Sequence, residues 1–347
     1  MSQAAEPGGT ADWYRHFGTV DAPGNSACYA DWSRAIADDP DLIGRIDRWP
    51  HPKRQPLLML AAARFLGARP GPYPGFRRFL DSHWDEVSRI VLSRSTQTNE
   101  AGRCAALLPS LARIAAAEDR PLALLEVGAS AGLTLFPDRY GYEYQDSGGG
   151  MTRLDPAGAA PGSYPVLGCT TTGPVPLPAG LPEVAWRAGI DLNPLDIRDA
   201  DDVAWLESLI WPEQDFRRER LRKAIAVAQS DPPLLIAGDL NERLVALAGQ
   251  APPEAALVVF HSAVMAYLDA AGRERFRDTI ALLAADRGCH WISNEGHMVV
   301  VQADGSSVVP EMDEARLRGR FLLMEDGVPV AVAGPHGQSL EWIDGDA

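Results

Sequence analysis

The sequence predicts an α/β fold: a mostly parallel sheet with a C-terminal antiparallel hairpin, preceded by an α-helical N-terminal lobe. Three observations predict it. Apolar residues ahead of position 118 recur at helical spacing. From Leu122 onward, short apolar runs alternate with amphipathic segments. Near the C-terminus, Asp326-Gly327 separates two apolar runs, a hairpin signal.

The elements follow in order. In DSHWDEVSRIVLS, Trp84, Val87, Ile90 and Val91 fall on one helical face, with Asp81 or Ser82 placed to cap the exposed amides. In EAGRCAALLPSLARIAAA, Cys104, Leu107, Leu108, Leu111 and Ile114 form a second stripe, interrupted by Pro109, where a kink is expected. No alternating strand pattern precedes Leu122. Strands are predicted at 122–127, 184–192, 234–240, 256–262 and 289–295. DADDVAWLESLIW, DFRRERLRKAIAVAQ and GRERFRDTIALLAAD read as the helices between them. Near-continuous apolar strands joined by helices mean a parallel sheet covered on both faces. A Gly/Pro-rich insertion, about 145–182, carries one strand, YPVLGCT. The expected division is a helical lobe at 1–118, suited to act as a lid, and a sheet domain at 119–347.

Composition narrows the function classes. The chain carries 32 basic and 47 acidic residues, a net charge of −15, so it lacks the basic footprint that nucleic-acid binding requires. The longest apolar candidate, PLLMLAAARFLGA, is broken by Arg64, and the N-terminus has no charged start followed by an apolar centre. Cys28, Cys104, Cys169 and Cys289 are scattered without a C-x-x-C pair, which fits reduced thiols. His290, His297 and His336 show no metal-ligand spacing, and no metal is expected. A cytoplasmic protein that acts on a small molecule, away from nucleic acid and membrane, is the expectation.

LLEVGASAGLTL, Leu124–Leu135, has two readings. Gly128-Ala129-Ser130-Ala131-Gly132 is literally G-x-S-x-G, the elbow that exposes a nucleophilic serine. It is also close to the glycine turn after the first strand of a nucleotide-binding sheet. The motif follows the first predicted strand, no H-G-G-type loop precedes it, and Glu126 is out of place in an elbow strand. An acid two residues before the first glycine suits the carboxyl end of strand one, facing a ligand crevice. The nucleotide reading is preferred, and the sheet is expected to be Rossmann-like. Ser130 as a hydrolase nucleophile stays as an alternative.

G-x-G-x-x-G for a dinucleotide is not met, since positions 130 and 133 are Ser and Leu. Glu126, Gly128, Ser130 and Gly132 instead form E-x-G-x-S-x-G, which resembles motif I of class I S-adenosylmethionine-dependent methyltransferases. In that family the glycines let the backbone pass the cofactor's amino-acid end. AGIDLNPLDI puts Asp191 at the next strand end, where a ribose-binding acid would sit. It lies much farther from Gly132 than the roughly 20 residues that are usual, and the insertion accounts for the excess. Glu143 is the second candidate. Asp239 stands where an acid often meets the adenine amino group, or else it caps the following helix.

STQTNEAGRCAALLP, LLEVGASAGL, AGIDLNPLDI, WPEQDFRRERLRKAIA, VVFHSAVMAYL, WISNEG and GPHGQSLEW together resemble the signature strings of an uncharacterised bacterial family, domain of unknown function 2332. The resemblance spans residues 25 to 343 and implies a sheet similar to class I methyltransferases but no substrate. The run HMVVVQADGSSVVPEMDEARLRGR departs from some members and is expected to reshape the rim of a site.

Chemistry in an open parallel sheet lies at the carboxyl ends of its strands. His261 ends strand four and is a candidate general base, or else a histidine bonded to backbone. Glu295 ends strand five and is the second candidate base. Tyr267 is placed to hold an acceptor. Gln97, Thr98, Asn99, Glu100 and Arg103 precede an apolar helix, as caps or as acceptor contacts, Arg103 being suited to a carboxylate or phosphate. Glu213 reads as a helix-start residue and RRERLRK as a solvated face. The expected function is S-adenosylmethionine-dependent methyl transfer to a small acceptor, and the non-catalytic alternative is a binder of that cofactor or another nucleotide.

Overall fold

The computed structural model describes residues 8–97, 99–300 and 314–343. Two compact units emerge. One joins Gln3–Thr98 to Asp196–Glu219; the other joins Asn99–Leu195 to Arg220–Ala347. The predicted boundary at 118 therefore lies 20 residues past the observed one, because the helix Cys104–Glu118 packs with the sheet.

The first unit is helical among its described residues, with helices at Thr10–His16, Ala27–Ala37, Pro40–Ile46, Pro56–Phe65, Tyr73–Ser93 and Ala200–Leu209. The predicted cap at Asp81 or Ser82 is not a helix start. The helix begins at Tyr73, with Pro74 in its first turn, and runs through a kink at His83. Asp81 instead pairs with Arg45 and Arg77. Ala200–Leu209, read from the sequence as a helix between strands, belongs to this unit. Arg64 donates to the Ser208 and Ile210 carbonyls, and the Trp205 indole donates to the Ser95 carbonyl at 3.1 Å. The two Arg64 bonds satisfy carbonyls that the end of this helix leaves exposed.

Among the described residues the second unit is built on eleven strands: β1 Leu122–Val127, β2 Gly141–Asp146, β3 Met151–Leu154, β4 Val166–Thr172, β5 Val184–Asp191, β6 Leu234–Ala237, β7 Ala256–Ser262, β8 His290–Gly296, β9 Phe321–Glu325, β10 Val328–Ala333 and β11 Ser339–Trp342. They form one sheet in the order β3-β2-β4-β11-β10-β9-β8-β7-β1-β5-β6. The predicted strands β6, β5, β1, β7 and β8 are mutually parallel. The predicted hairpin, β9–β10, turns at Asp326 and Gly327, both with positive φ, and adds antiparallel to β8. Beyond it, β11 runs parallel to β4, and β4 to β2. The insertion thus carries β3 and β4 rather than one strand, and β2 begins just ahead of it.

β1 and β7 are buried along their whole length, as parallel strands with helices on both faces must be. One face holds a core that includes Leu125, Ile190, Val259, Leu244, Phe276 and Ile280. Helix Cys104–Glu118 contacts β4, β7, β8 and β9. Its five predicted stripe residues are all buried. Pro109 lies inside this helix and cannot donate to the Ala105 carbonyl. The Tyr144 hydroxyl, from β2, donates to that carbonyl instead, at 2.8 Å. Among the described residues no helix is long and apolar enough to cross a membrane.

Candidate functional site

The sheet order marks one place for a ligand. From β1 the chain first runs to β2, β3 and β4 at the far end of the sheet, comes back beside β1 as β5 and β6, and then crosses to the other side of β1 as β7 and β8. The crevice outside the carboxyl ends at such a reversal is where open α/β sheets bind ligands. Its rim is the loop after β1, the end of β5 and the segment after β7.

The β1 loop is held in an unusual conformation. Gly128, Ser130 and Gly132 all have positive φ, at 74°, 52° and 71°. The first and last are cheap in glycine; for Ser130 this left-handed backbone costs roughly 1 kcal/mol or more. Surrounding bonds supply the compensation. Gly128 and Ala129 both donate to the Ile190 carbonyl of β5. Asn99 grips the loop twice: its amide donates to the Ala129 carbonyl at 2.7 Å, and its oxygen accepts from the Leu133 N–H at 3.0 Å. Asp191, at the end of β5, accepts from the Ser130 N–H through Oδ2 and from the Asn193 N–H through Oδ1, each at 2.8 Å.

Beneath the loop, Glu126 is buried at the end of β1, and Thr134 donates to its Oε1. Burial pushes this carboxyl up to about 8, against the smaller opposing pull of the Thr134 bond and the Arg103 charge. Among the described residues, Glu126 Oε2 and Ser130 Oγ are buried without a hydrogen-bond partner. Such groups are costly unless something satisfies them.

His261 and Glu295 meet in the interior at the ends of β7 and β8. The Trp291 indole N–H donates to His261 Nε2 at 3.0 Å, so the ring carries its proton on Nδ1 and donates it to Glu295 Oε1 at 2.7 Å. The same oxygen accepts from the Val264 and Met265 N–H groups, at 2.7 and 3.2 Å. His261 is 0% exposed and Glu295 1%. Both ring nitrogens are engaged within the protein, so the two candidate bases form a structural pair that anchors the segment after β7. Among the described residues His261 is not placed to serve Ser130 as a base, because its Nε2 faces Trp291.

The profile of a family described as an uncharacterized protein conserved in bacteria (DUF2332) matches residues 11–342. The chain belongs to that family. No curated protein and no solved structure matches it.

In this DUF2332 protein the remaining candidates separate clearly. Asp239 caps the helix Leu240–Ala248, accepting from the Asn241 N–H at 2.8 Å. Glu143 does not approach the β1 loop: six strands lie between β2 and β1, and its partner is Arg153. Glu100 is buried, accepts from the Gly102 N–H and pairs with Arg220 at 2.9 Å. Arg103 is buried too and donates to the carbonyls of Ser262 and Pro335, with its guanidinium over the Phe321 ring. It ties the end of β7 to the turn before β11. Tyr267 is 68% exposed just after β7, where a ligand can reach it. Thr98 and most of the HMVVVQADGSSVV run lie outside the described residues. No group of three or more His, Cys, Asp or Glu is gathered for a metal ion among the described residues.

Two residues of this site have roles that the sequence reading does not assign. Val264 packs its side chain directly against the bare face of Gly128, and Trp291 selects the tautomer of His261. Each lies inside a string that carries the family resemblance, VVFHSAVMAYL and WISNEG, but its role comes from contacts between segments far apart in the chain.

Proposed function

We propose that this protein binds S-adenosylmethionine at the carboxyl ends of β5, β1 and β7 and transfers its methyl group to a small acceptor in the cytoplasm. The observation that carries the proposal is Asp191, docked on the Ser130 amide at the reversal point of the sheet. A carboxylate oxygen has two acceptor directions, so Asp191 can hold the loop and still accept ribose hydroxyls. The unpartnered Glu126 Oε2 and Ser130 Oγ add polar capacity beside the same loop. The net charge of −15 favours a small acceptor over a nucleic acid. Asp191 would hold the ribose and the Gly128–Gly132 loop the adjoining part of the cofactor. When bound, the cofactor supplies an activated methyl group on a sulfonium sulfur. With His261 and Glu295 bonded to each other, the protein's part is to orient the acceptor, which can account for several kcal/mol of barrier.

A thermal-shift series with S-adenosylmethionine, S-adenosylhomocysteine, NAD, NADP and ATP tests this. At 100 times its Kd a ligand stabilises by about 2.7 kcal/mol. A shift with the adenosylated sulfur compounds that is lost in Asp191→Ala is expected. No shift with those two overturns the cofactor assignment. One observation favours a second reading, a binder without turnover: both ring nitrogens of His261 are bonded within the protein, and Glu295 Oε1 is taken up by His261 and two backbone amides. Stoichiometric binding with no methylated product across an acceptor panel would select it.

A further inference from the structure

The crevice is not open along its whole length. A Cβ placed on Gly128 would lie 2.2 Å from Val264 Cγ2 and 3.0 Å from Cγ1, so the valine fills the space that the glycine leaves. The other side of the loop is lined in the same way: a Cβ on Gly132 would meet Pro233 at 3.0 Å and Leu235 at 3.2 Å. By contrast, Asp191 is partly exposed at the end of β5. On the proposed placement, with the ribose at Asp191 and the adjoining part of the cofactor at the Gly128–Gly132 loop, the 5′ substituent crosses β1, which lies between β5 and β7. That path crosses Gly128, where Val264 sits.

Val264 belongs to a strap, residues 263–268, fastened at both ends. At one end Glu295 Oε1 holds the Val264 and Met265 amides and is itself held by His261. At the other, Arg273 Nη1 donates to the Met265 and Leu268 carbonyls, at 3.2 and 2.7 Å. Between these points Tyr267 is largely exposed. Ala263, the first residue of the strap, has φ 60°, a conformation that a non-glycine residue adopts only under constraint. Hydrogen bonds to one carboxylate oxygen thus hold a strained segment closed over the loop glycine.

We infer that Val264 is the specificity-determining residue of the crevice: nucleosides bind at Asp191 with the strap closed, whereas a ligand with a bulky 5′ substituent binds only by displacing Val264 from Gly128. This rests on the reading that the crevice takes an adenosyl ligand. Binding of the larger ligand is then coupled to release of the Val264 and Met265 amides from Glu295. A ligand can shift such an equilibrium only by its differential contacts with the two states, and here the differential contact is steric.

The test is calorimetric titration of wild type and Val264→Ala with adenosine and with S-adenosylhomocysteine. Removing the two methyl groups should tighten S-adenosylhomocysteine about tenfold and leave adenosine within twofold. Hydrogen exchange of the wild-type Val264 and Met265 amides supplies the second readout. Their protection should fall on binding S-adenosylhomocysteine and persist with adenosine. Equal effects of Val264→Ala on both ligands, or unchanged amide protection with both, overturn the inference while leaving an adenosyl site intact. If neither ligand binds wild type or variant, the adenosyl reading itself fails, and the inference with it.

Discussion

His261 and Glu295 are joined by a 2.7 Å hydrogen bond in a region that water does not reach. The ring is also packed by Phe276 and Trp291, with centroids 5.4 and 5.9 Å away. A histidine used as a base keeps one nitrogen for its substrate; this one has Trp291 on that nitrogen. The pair accordingly acts on folding and on the segment after β7.

His261→Ala should therefore lower stability rather than selectively abolish turnover. It opens a cavity, removes one of three donors to a buried oxygen and strands the Trp291 N–H. Comparable losses cost about 3–5 kcal/mol. Urea unfolding of the variant measures this. Unchanged stability with a hundredfold loss of kcat would restore the general-base role.

Glu126 makes stability depend on pH. Its folded pKa of about 8 lies above the ordinary value of 4.5, because burial disfavours the charged form. The folded state then binds more protons than the unfolded state between those values, so stability falls as pH rises through that window and levels off above it. The total change is on the order of a few kcal/mol. Glu126→Gln, neutral at every pH, should lose this slope. Denaturant midpoints from pH 5 to pH 9 for both proteins provide the check, and parallel curves would count against a buried, protonated Glu126.

His290 shows the opposite kind of burial, with a carboxylate on each side. Nδ1 faces Asp326 and Nε2 faces Glu118, each at 3.1 Å. The Asp326 bond, helped by the Glu118 bond and opposed by desolvation, raises the imidazole pKa above its ordinary 6.5. A raised folded pKa contributes stability that is complete below 6.5 and lost as pH rises through the folded value. The side chain is partly exposed, so about 1 kcal/mol is the expected size. NMR titration of the His290 ring should give a pKa above 6.5, and Asp326→Asn should lower it.

The Tyr144 hydroxyl serves the carbonyl that Pro109 leaves unpaired. Tyr144→Phe strands that buried carbonyl and should cost about 1–2 kcal/mol. In a Pro109→Ala background residue 109 regains its N–H, so the same substitution should cost less. A double-mutant cycle by thermal unfolding measures the coupling. Strict additivity would show that the tyrosine bond is unrelated to the proline.

Much of this architecture is legible from one end of the sequence to the other. Leu122–Val127, Val184–Asp191 and Ala256–Ser262 announce themselves as strands because they are short, largely apolar and bounded by polar turns. Asp326-Gly327 announces its turn because both residues accept positive φ. These are local properties, set by backbone sterics and by which side chains leave water. Strands β2, β3 and β11 are less visible, since their burial depends on partners supplied from elsewhere in the chain.

The sequence by itself determined the α/β character, the glycine turn after β1 and the acid at the end of β5. Only the tertiary structure decided that Asp239 is a cap, that Ala200–Leu209 packs with the helical unit and that Arg103 binds backbone carbonyls. It also decided that His261 belongs to Glu295 and that Gly128 is covered by Val264. The reason is physical: a residue's type limits which bonds it can make. Which partner arrives is set by strand order and register between segments tens to hundreds of residues apart.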